Sequence, residues 1–90
     1  MNKLTHILKI RPQFFNAIIS GKKRFEIRLN DRNYQEGDEV ILNEFNNGSY
    51  TGKSIRAIIT YILNHNDFPD GIPQNYVVFN IKVLSNSRSN

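Results

Sequence analysis

The 90 residues carry 39% hydrophobic and 22% charged side chains, enough for one small core and too few for a second. With no cysteine, two histidines and no long apolar run, the composition excludes a disulfide scaffold and a cysteine–zinc site and offers no membrane-spanning helix. The formal charge of +4 permits a polyanionic partner, and eight of the twelve basic residues lie between Lys3 and Arg32, against Glu26 and Asp31.

Residues 5–10, Thr-His-Ile-Leu-Lys-Ile, are rich in β-formers and read as a first strand. Arg11-Pro12 then changes the period. Proline suits the first helical turn, where its missing N–H costs nothing. Phe14, Phe15, Ile18 and Ile19 recur at helical spacing, and Gly21 stands where a C-terminal glycine ends a helix, so a short helix is expected over residues 12–20. Both phenylalanines are assigned to core and helix packing.

Residues 23–29 alternate cleanly. Phe25, Ile27 and Leu29 are expected to face the core, with Arg24, Glu26 and Arg28 outward. A polar stretch over 30–38 ends in Glu-Gly-Asp, a turn signal, and residues 39–45 form a third strand. Asn46-Asn47-Gly48 marks a hairpin, since Asn-Gly accepts the positive φ angles of a type I′ turn. Residues 54–63 are the longest strand candidate and are apolar on both faces; a helix is an alternative there, but the isoleucines, Thr60 and Tyr61 favour strand. Residues 64–75 form a loop. Residues 76–84 close the domain with Val77, Phe79, Ile81 and Val83 inward, and 85–90 read as a frayed tail.

The order β-α-β-β-β-β defines an α+β, mainly β domain. It is expected to be a small, partly open β-barrel of about five strands with one short helix after the first. Phe25, Ile27, Leu42, Ile59, Val77, Phe79 and Ile81 are its expected core. The N-terminal residues lack a signal-peptide pattern, so the expected location is the cytoplasm.

One segment stands out chemically: Gly21-Lys22-Lys23-Arg24-Phe25-Glu26-Ile27-Arg28. It resembles the G-x-K-x-x-(Thr/Glu)-x-R signature of ASCH domains, a branch of the PUA-like superfamily, with Gly21, Lys23, Glu26 and Arg28 at the defining places. The opening from His6 to Pro12, then Phe14-Phe15, Asn30-Asp31-Arg32, Gly37-Asp38, Tyr50-Thr51-Gly52, Ile59-Thr60-Tyr61 and Tyr76-Val77-Val78 resemble a small bacterial and phage branch of that group. The resemblance covers residues 5–84. It implies a PUA-like barrel with a cleft between helix and sheet that binds RNA or a modified nucleobase. Under that reading Lys23, Glu26 and Arg28 hold the ligand, and Lys9, Lys22 and Arg32 add supporting charge. A lysine can meet phosphate, a carboxylate can accept from an exocyclic amine, and arginine can engage phosphate with two donors. The plainer reading makes Arg24, Glu26 and Arg28 a solvated strand face with cross-strand ion pairs.

Two further readings stay open. Some relatives with this signature are amidohydrolases acting on an acylated cytidine, using the signature lysine, a threonine at the Glu26 place and a distal glutamate. Here Lys23 matches, Glu26 replaces the hydroxyl, and the loop that would supply the distal acid holds only Asp67 and Asp70. An enzyme of that kind would rest on Lys23 and Glu26. A protein-interaction domain is the third reading. No cofactor, metal or membrane partner is expected.

The remaining motifs are ordinary. The run from Gly48 to Ser54 is one residue short of a phosphate loop and leads into a strand, not a helix, so it is a hairpin. Asn47-Gly48-Ser49 matches a glycosylation sequon without a secretory context. His6, beside Leu8 and Ile10 on the first strand, reads first as a hydrogen-bonded structural histidine and second as a cleft-lining residue, with Lys9 on the opposite face. Tyr34, Tyr50 and Tyr76 are the candidates for base stacking.

Overall fold

The computed structural model describes residues 3–87. The chain runs through β1 (Thr5–Ile10), α1 (Pro12–Ile19), β2 (Phe25–Leu29), β3 (Glu39–Asn46), β4 (Ser49–Asn64) and β5 (Tyr76–Ser87). The five strands make one sheet in the order β1-β3-β4-β5-β2. Among the described strands only β1 and β3 pair in parallel, and the crossover through α1 and β2 supplies the long connection that parallel pairing needs. The sheet curls into a half-barrel. Among the described residues, no helix is long and apolar enough to cross a membrane.

Helix α1 forms as its punctuation dictates. Arg11 is extended, Pro12 opens the first turn, and Gly21 at φ +81° closes the last. Its left-handed geometry lets the Gly21 N–H reach Ile18 O at 3.0 Å and the Lys22 N–H reach Ala17 O at 2.9 Å. Phe15 and Ile18 turn into the half-barrel and are buried. They meet a core of Leu8, Ile10, Val40, Leu42, Ile55, Ala57, Ile59, Val77, Phe79 and Ile81. The Asn47-Gly48 hairpin is as expected, with both residues at positive φ.

The expected facing of β2 is reversed. Glu26 pairs with Phe79 and Arg28 with Val77, and residues directly opposite share a face. Phe79 and Val77 point into the core, so Glu26 and Arg28 point inward too. Glu26 is only 4% exposed, whereas Phe25 and Ile27 are 43% and 59% exposed. Phe25 and Ile27 therefore leave the expected core; Leu42, Ile59, Val77, Phe79 and Ile81 occupy it. The inward charges are tolerated because they neutralise one another at the open margin of the sheet.

Strand β4 explains its own two-faced hydrophobicity. An extra residue at Thr60 interrupts the pairing between Ile59 and Tyr61. Before it Ile55, Ala57 and Ile59 point inward; beyond it Ile62 lies opposite Phe79, and Tyr61 and Leu63 face out. A second irregularity lies between Arg56 and Ala57. Val83, expected inward, sits beside it opposite Ala57 and is 40% exposed, because the strand leaves the core there. Residues 85–87 extend β5 instead of fraying; residues 88–90 of the expected tail lie outside the described residues.

Candidate ligand-binding cleft

Strands β1 and β2 are the two edges of the curled sheet, and no main-chain ladder joins them. A side chain does. Arg28 Nη2 donates to the Lys9 carbonyl at 2.9 Å. The positions of these groups follow from strand parity. Ile81 N–H bonds to Arg24 O, so on β2 the even-numbered residues turn their main chain to β5 and the odd-numbered ones turn it to the seam.

A cleft of about 700 Å³ occupies this seam, within the range of small-molecule sites. Its walls come from the end of β1 (Lys9 to Arg11), from one side of α1 (Gln13, Phe14, Ala17) and from Lys22, Lys23 and residues 25–28. Five of these residues are cationic and one, Glu26, is anionic. The cleft thus concentrates the chain's positive excess.

Glu26 organises the floor. Its Oε1 accepts from Arg28 Nε at 2.9 Å and Nη2 at 2.7 Å, and its Oε2 accepts from Lys23 Nζ. Lys23 also donates to the Phe25 carbonyl at 2.6 Å. Its ammonium lies 5.4 Å from the Phe14 ring centre and 5.0 Å from that of Phe25, so the cation is framed by two aromatic rings. Lys9 lines the cleft, but its ammonium turns over the Phe45 ring at 4.3 Å. Lys22 and Arg11 stand exposed at the rim.

Of the residues singled out from the sequence, Lys9, Lys22, Lys23, Glu26 and Arg28 come together here. Arg32 does not; it lies in the loop after β2 beside Asp31, at 3.8 Å. Asp67 and Asp70 do not line the cleft either, and the Asp67 carboxylate accepts from the Asn64 N–H at 2.9 Å. Arg11, Gln13, Phe14, Phe25 and Ile27 are cleft residues outside the expected ligand set. Phe14, assigned above to packing, is partly exposed and shares the cleft side of α1 with Ala17, three residues on.

A second buried carboxylate lies away from the cleft. Asp38 accepts from the Leu4 and Gln35 N–H groups, both at 3.1 Å, and from His6 Nε2 at 2.8 Å. Burial alone would raise its pKa, but the His6 bond and the two main-chain donors outweigh that and hold it below the ordinary value. A carboxylate has no proton to give, so His6 Nε2 is the donor, as its structural role requires. Tyr34 stacks edge-on against His6 at 4.7 Å and packs on Phe79 at 5.0 Å. It is buried, which removes it from the expected stacking platforms; burial raises its hydroxyl pKa, partly offset by Arg28 and Arg32. Tyr50 and Tyr76 remain accessible but lie outside the cleft. Among the described residues, no three acidic or histidine side chains gather as a metal site would require.

Fold and site together define a small curled-sheet protein with a basic, aromatic-framed cleft at its open seam. The chain belongs to the family described as Domain of unknown function (DUF3850), whose model matches residues 5–81, from β1 to the core residue Ile81 of β5. It is 40% identical over 63 residues to the "Uncharacterized 12.9 kDa protein in GpA 3'region" of Escherichia phage P2. That match takes in 70% of this chain and 58% of the phage protein, so the chain spans little more than half of that relative's length.

Proposed function

We propose that this protein is a non-catalytic binding module for RNA or a nucleotide, with the seam cleft as its site. One observation carries the reading: Lys23 is held between two partly exposed aromatic rings in a cleft lined by five basic residues and one carboxylate, which Lys23 and Arg28 bind. A planar base would stack on the exposed part of the Phe14 or Phe25 ring, and a phosphate would meet Lys22, Lys23 and Arg11 at the rim. Glu26 already accepts from Lys23 and Arg28, so its part is to hold both cations in place. The resemblance to PUA-like ASCH domains points the same way, and the proposed setting is the cytoplasm.

The test is binding of a fluorescent ten-nucleotide RNA at several salt concentrations. Two to four phosphate contacts give a logarithmic salt slope of roughly −0.7 for each, with affinity on the order of micromolar. Lys22→Ala and Lys23→Ala should each remove about one contact from that slope. Affinity that ignores salt and both substitutions would overturn the reading.

The Lys23–Glu26 contact also suits a hydrolase, in which the pair would activate water against an acylated cytidine. The saturated Glu26 carboxylate favours binding over that chemistry, since both oxygens already face cations. Acetate release by the native protein that vanishes in Glu26→Gln would decide for the hydrolase. Release only in Glu26→Thr, which restores a hydroxyl, would support the binding module.

A further inference from the structure

The reversed facing of β2 leaves an apolar surface on the outside of the sheet. Phe25, Ile27 and Leu29 point outward there, and the pairing carries the surface across two more strands. Ile27 lies opposite Val78, which lies opposite Leu63; Leu29 lies opposite Tyr76; Phe25 and Tyr61 flank Asn80. The extra residue at Thr60 is what turns Tyr61 and Leu63 to this side. Tyr61 is 58% exposed and Tyr76 39%. Taken with their neighbours, these side chains expose on the order of 500 Å², toward the top of what the largest apolar patch on a monomer shows. Among the described residues, the pairing places no charged side chain on this face between Phe25 and Leu29 on β2, Tyr76 and Asn80 on β5, and Tyr61 and Leu63 on β4.

The ends of the face differ in charge. Beside Phe25 stand Arg24 and Lys82, which border one shallow depression together with Asn80. Beyond Leu29 and Leu63 lie Asp31, already paired with Arg32, and the loop carrying Asp67 and Asp70. One end is therefore basic; at the other Arg32 offsets Asp31, and Asp67 and Asp70 leave an acidic excess, with an apolar centre between the two ends.

We propose that this outer face of β2, β5 and β4 binds a second copy of the chain, forming a twofold dimer with the strands of the two sheets antiparallel. A twofold axis in the interface and across the strands sets the basic end of each copy over the acidic end of the other. An interface of this kind is isologous, so one self-complementary patch suffices. The apolar centre and the two charged ends approach the roughly 800 Å² per partner of a standard stable interface. Face-to-face sheets pack about 10 Å apart, which the aromatic and branched side chains fill. The proposal is independent of what the cleft binds. Phe25 and Ile27 border both cleft and face, so the test uses residues that line no part of the cleft.

The experiment is sedimentation velocity of the full chain from ~1 to ~500 µM, the range in which an interface of this size dissociates measurably. The expected species is the mass of two 10.5 kDa chains. Leu63→Lys, at the centre, should raise the dissociation constant roughly 30-fold or more, as loss of an interface anchor does. Lys82→Glu should weaken the dimer by a smaller factor, and Lys82→Glu with Asp67→Lys should recover it. Because Lys82 is an exposed side chain, that pair decides the matter if Leu63→Lys fails to fold. A native chain that sediments as one copy throughout overturns the proposal. So does a folded Leu63→Lys variant that dimerises unchanged, or a charge-reversed pair no better than Lys82→Glu alone. RNA that binds a monomer and loses affinity in Leu63→Lys would assign the face to nucleic acid and also overturn it.

Discussion

Asp38 and Glu26 are both buried carboxylates, and their surroundings divide the molecule in two. Asp38 sits where the starts of β1 and β3 pair, held by two main-chain N–H groups and by His6, which is itself clamped by Tyr34. Glu26 sits where the sheet is open, held by Lys23 and Arg28, whose side chains reach partly into water. Fixed main-chain donors make a rigid anchor that no ligand displaces. Long cationic side chains make a neutralised floor that can turn toward an arriving anion. One acid serves the fold, the other the cleft.

Substitutions should separate the two carboxylates, and the largest effect lies in the core between them. Phe79, fully buried against Tyr34, should cost ~3–5 kcal/mol on truncation to alanine in urea unfolding. Phe25→Ala and Phe14→Ala should each cost less than about 1 kcal/mol, because those rings are partly exposed, while weakening RNA binding. A Phe25→Ala loss as large as that of Phe79→Ala would restore β2 to the facing expected from its sequence.

Next come the acids. Asp38→Asn places an amide against donors and should lower stability by ~2–3 kcal/mol with RNA affinity intact. Glu26→Gln should lower stability by only ~1 kcal/mol, since its cations can move into water, and weaken RNA binding roughly tenfold. Equal stability losses in the two variants would erase the distinction.

The pH dependence carries a sign. The Asp38 pKa is depressed in the folded state, so its stabilisation is complete above the ordinary aspartate value near 3.8 and drains away as pH falls below it, through the lower folded value. Unfolding measured at pH 7, 5 and 3 should show little change over the first interval and a loss over the second. Asp38→Asn should flatten that acid limb. A limb of equal depth in Asp38→Asn would assign it to other carboxylates.

The elements were legible because their signals are local. Pro12 and Gly21 bracket α1, Asn47-Gly48 supplies a hairpin's positive φ angles, and five stretches of β-formers become five strands. The facing of β2 was not legible. Alternation tells which residues share a face, but an exchange of faces leaves the pattern unchanged. The long-range pairing of Glu26 with Phe79 breaks that symmetry. The extra residue at Thr60 was hidden for a related reason, since a parity change inside β4 looks like a strand apolar on both sides. Tyr34 escaped because its polar loop gives no sign that the ring turns inward onto His6. For the site, the Gly21–Arg28 segment pointed to Lys23, Glu26 and Arg28, and proximity in sequence brought Lys22 with them. Arg32 was grouped with them on charge alone, and the loop carries it elsewhere. Phe14 needed the helix in place, because only then do Phe14 and Ala17 separate from Phe15 and Ile18.

The open seam binds, and the Asp38 network supports the fold. Nuclear magnetic resonance of ¹⁵N-labelled protein titrated with uridine monophosphate tests this division most directly, because every main-chain N–H reports its own surroundings. Saturable shifts are expected at residues 9–11, 13–17 and 22–28, with Leu4, Gln35 and Asp38 unmoved. Shifts centred on the Asp38 network or spread evenly over the sheet, with the seam silent, would contradict it.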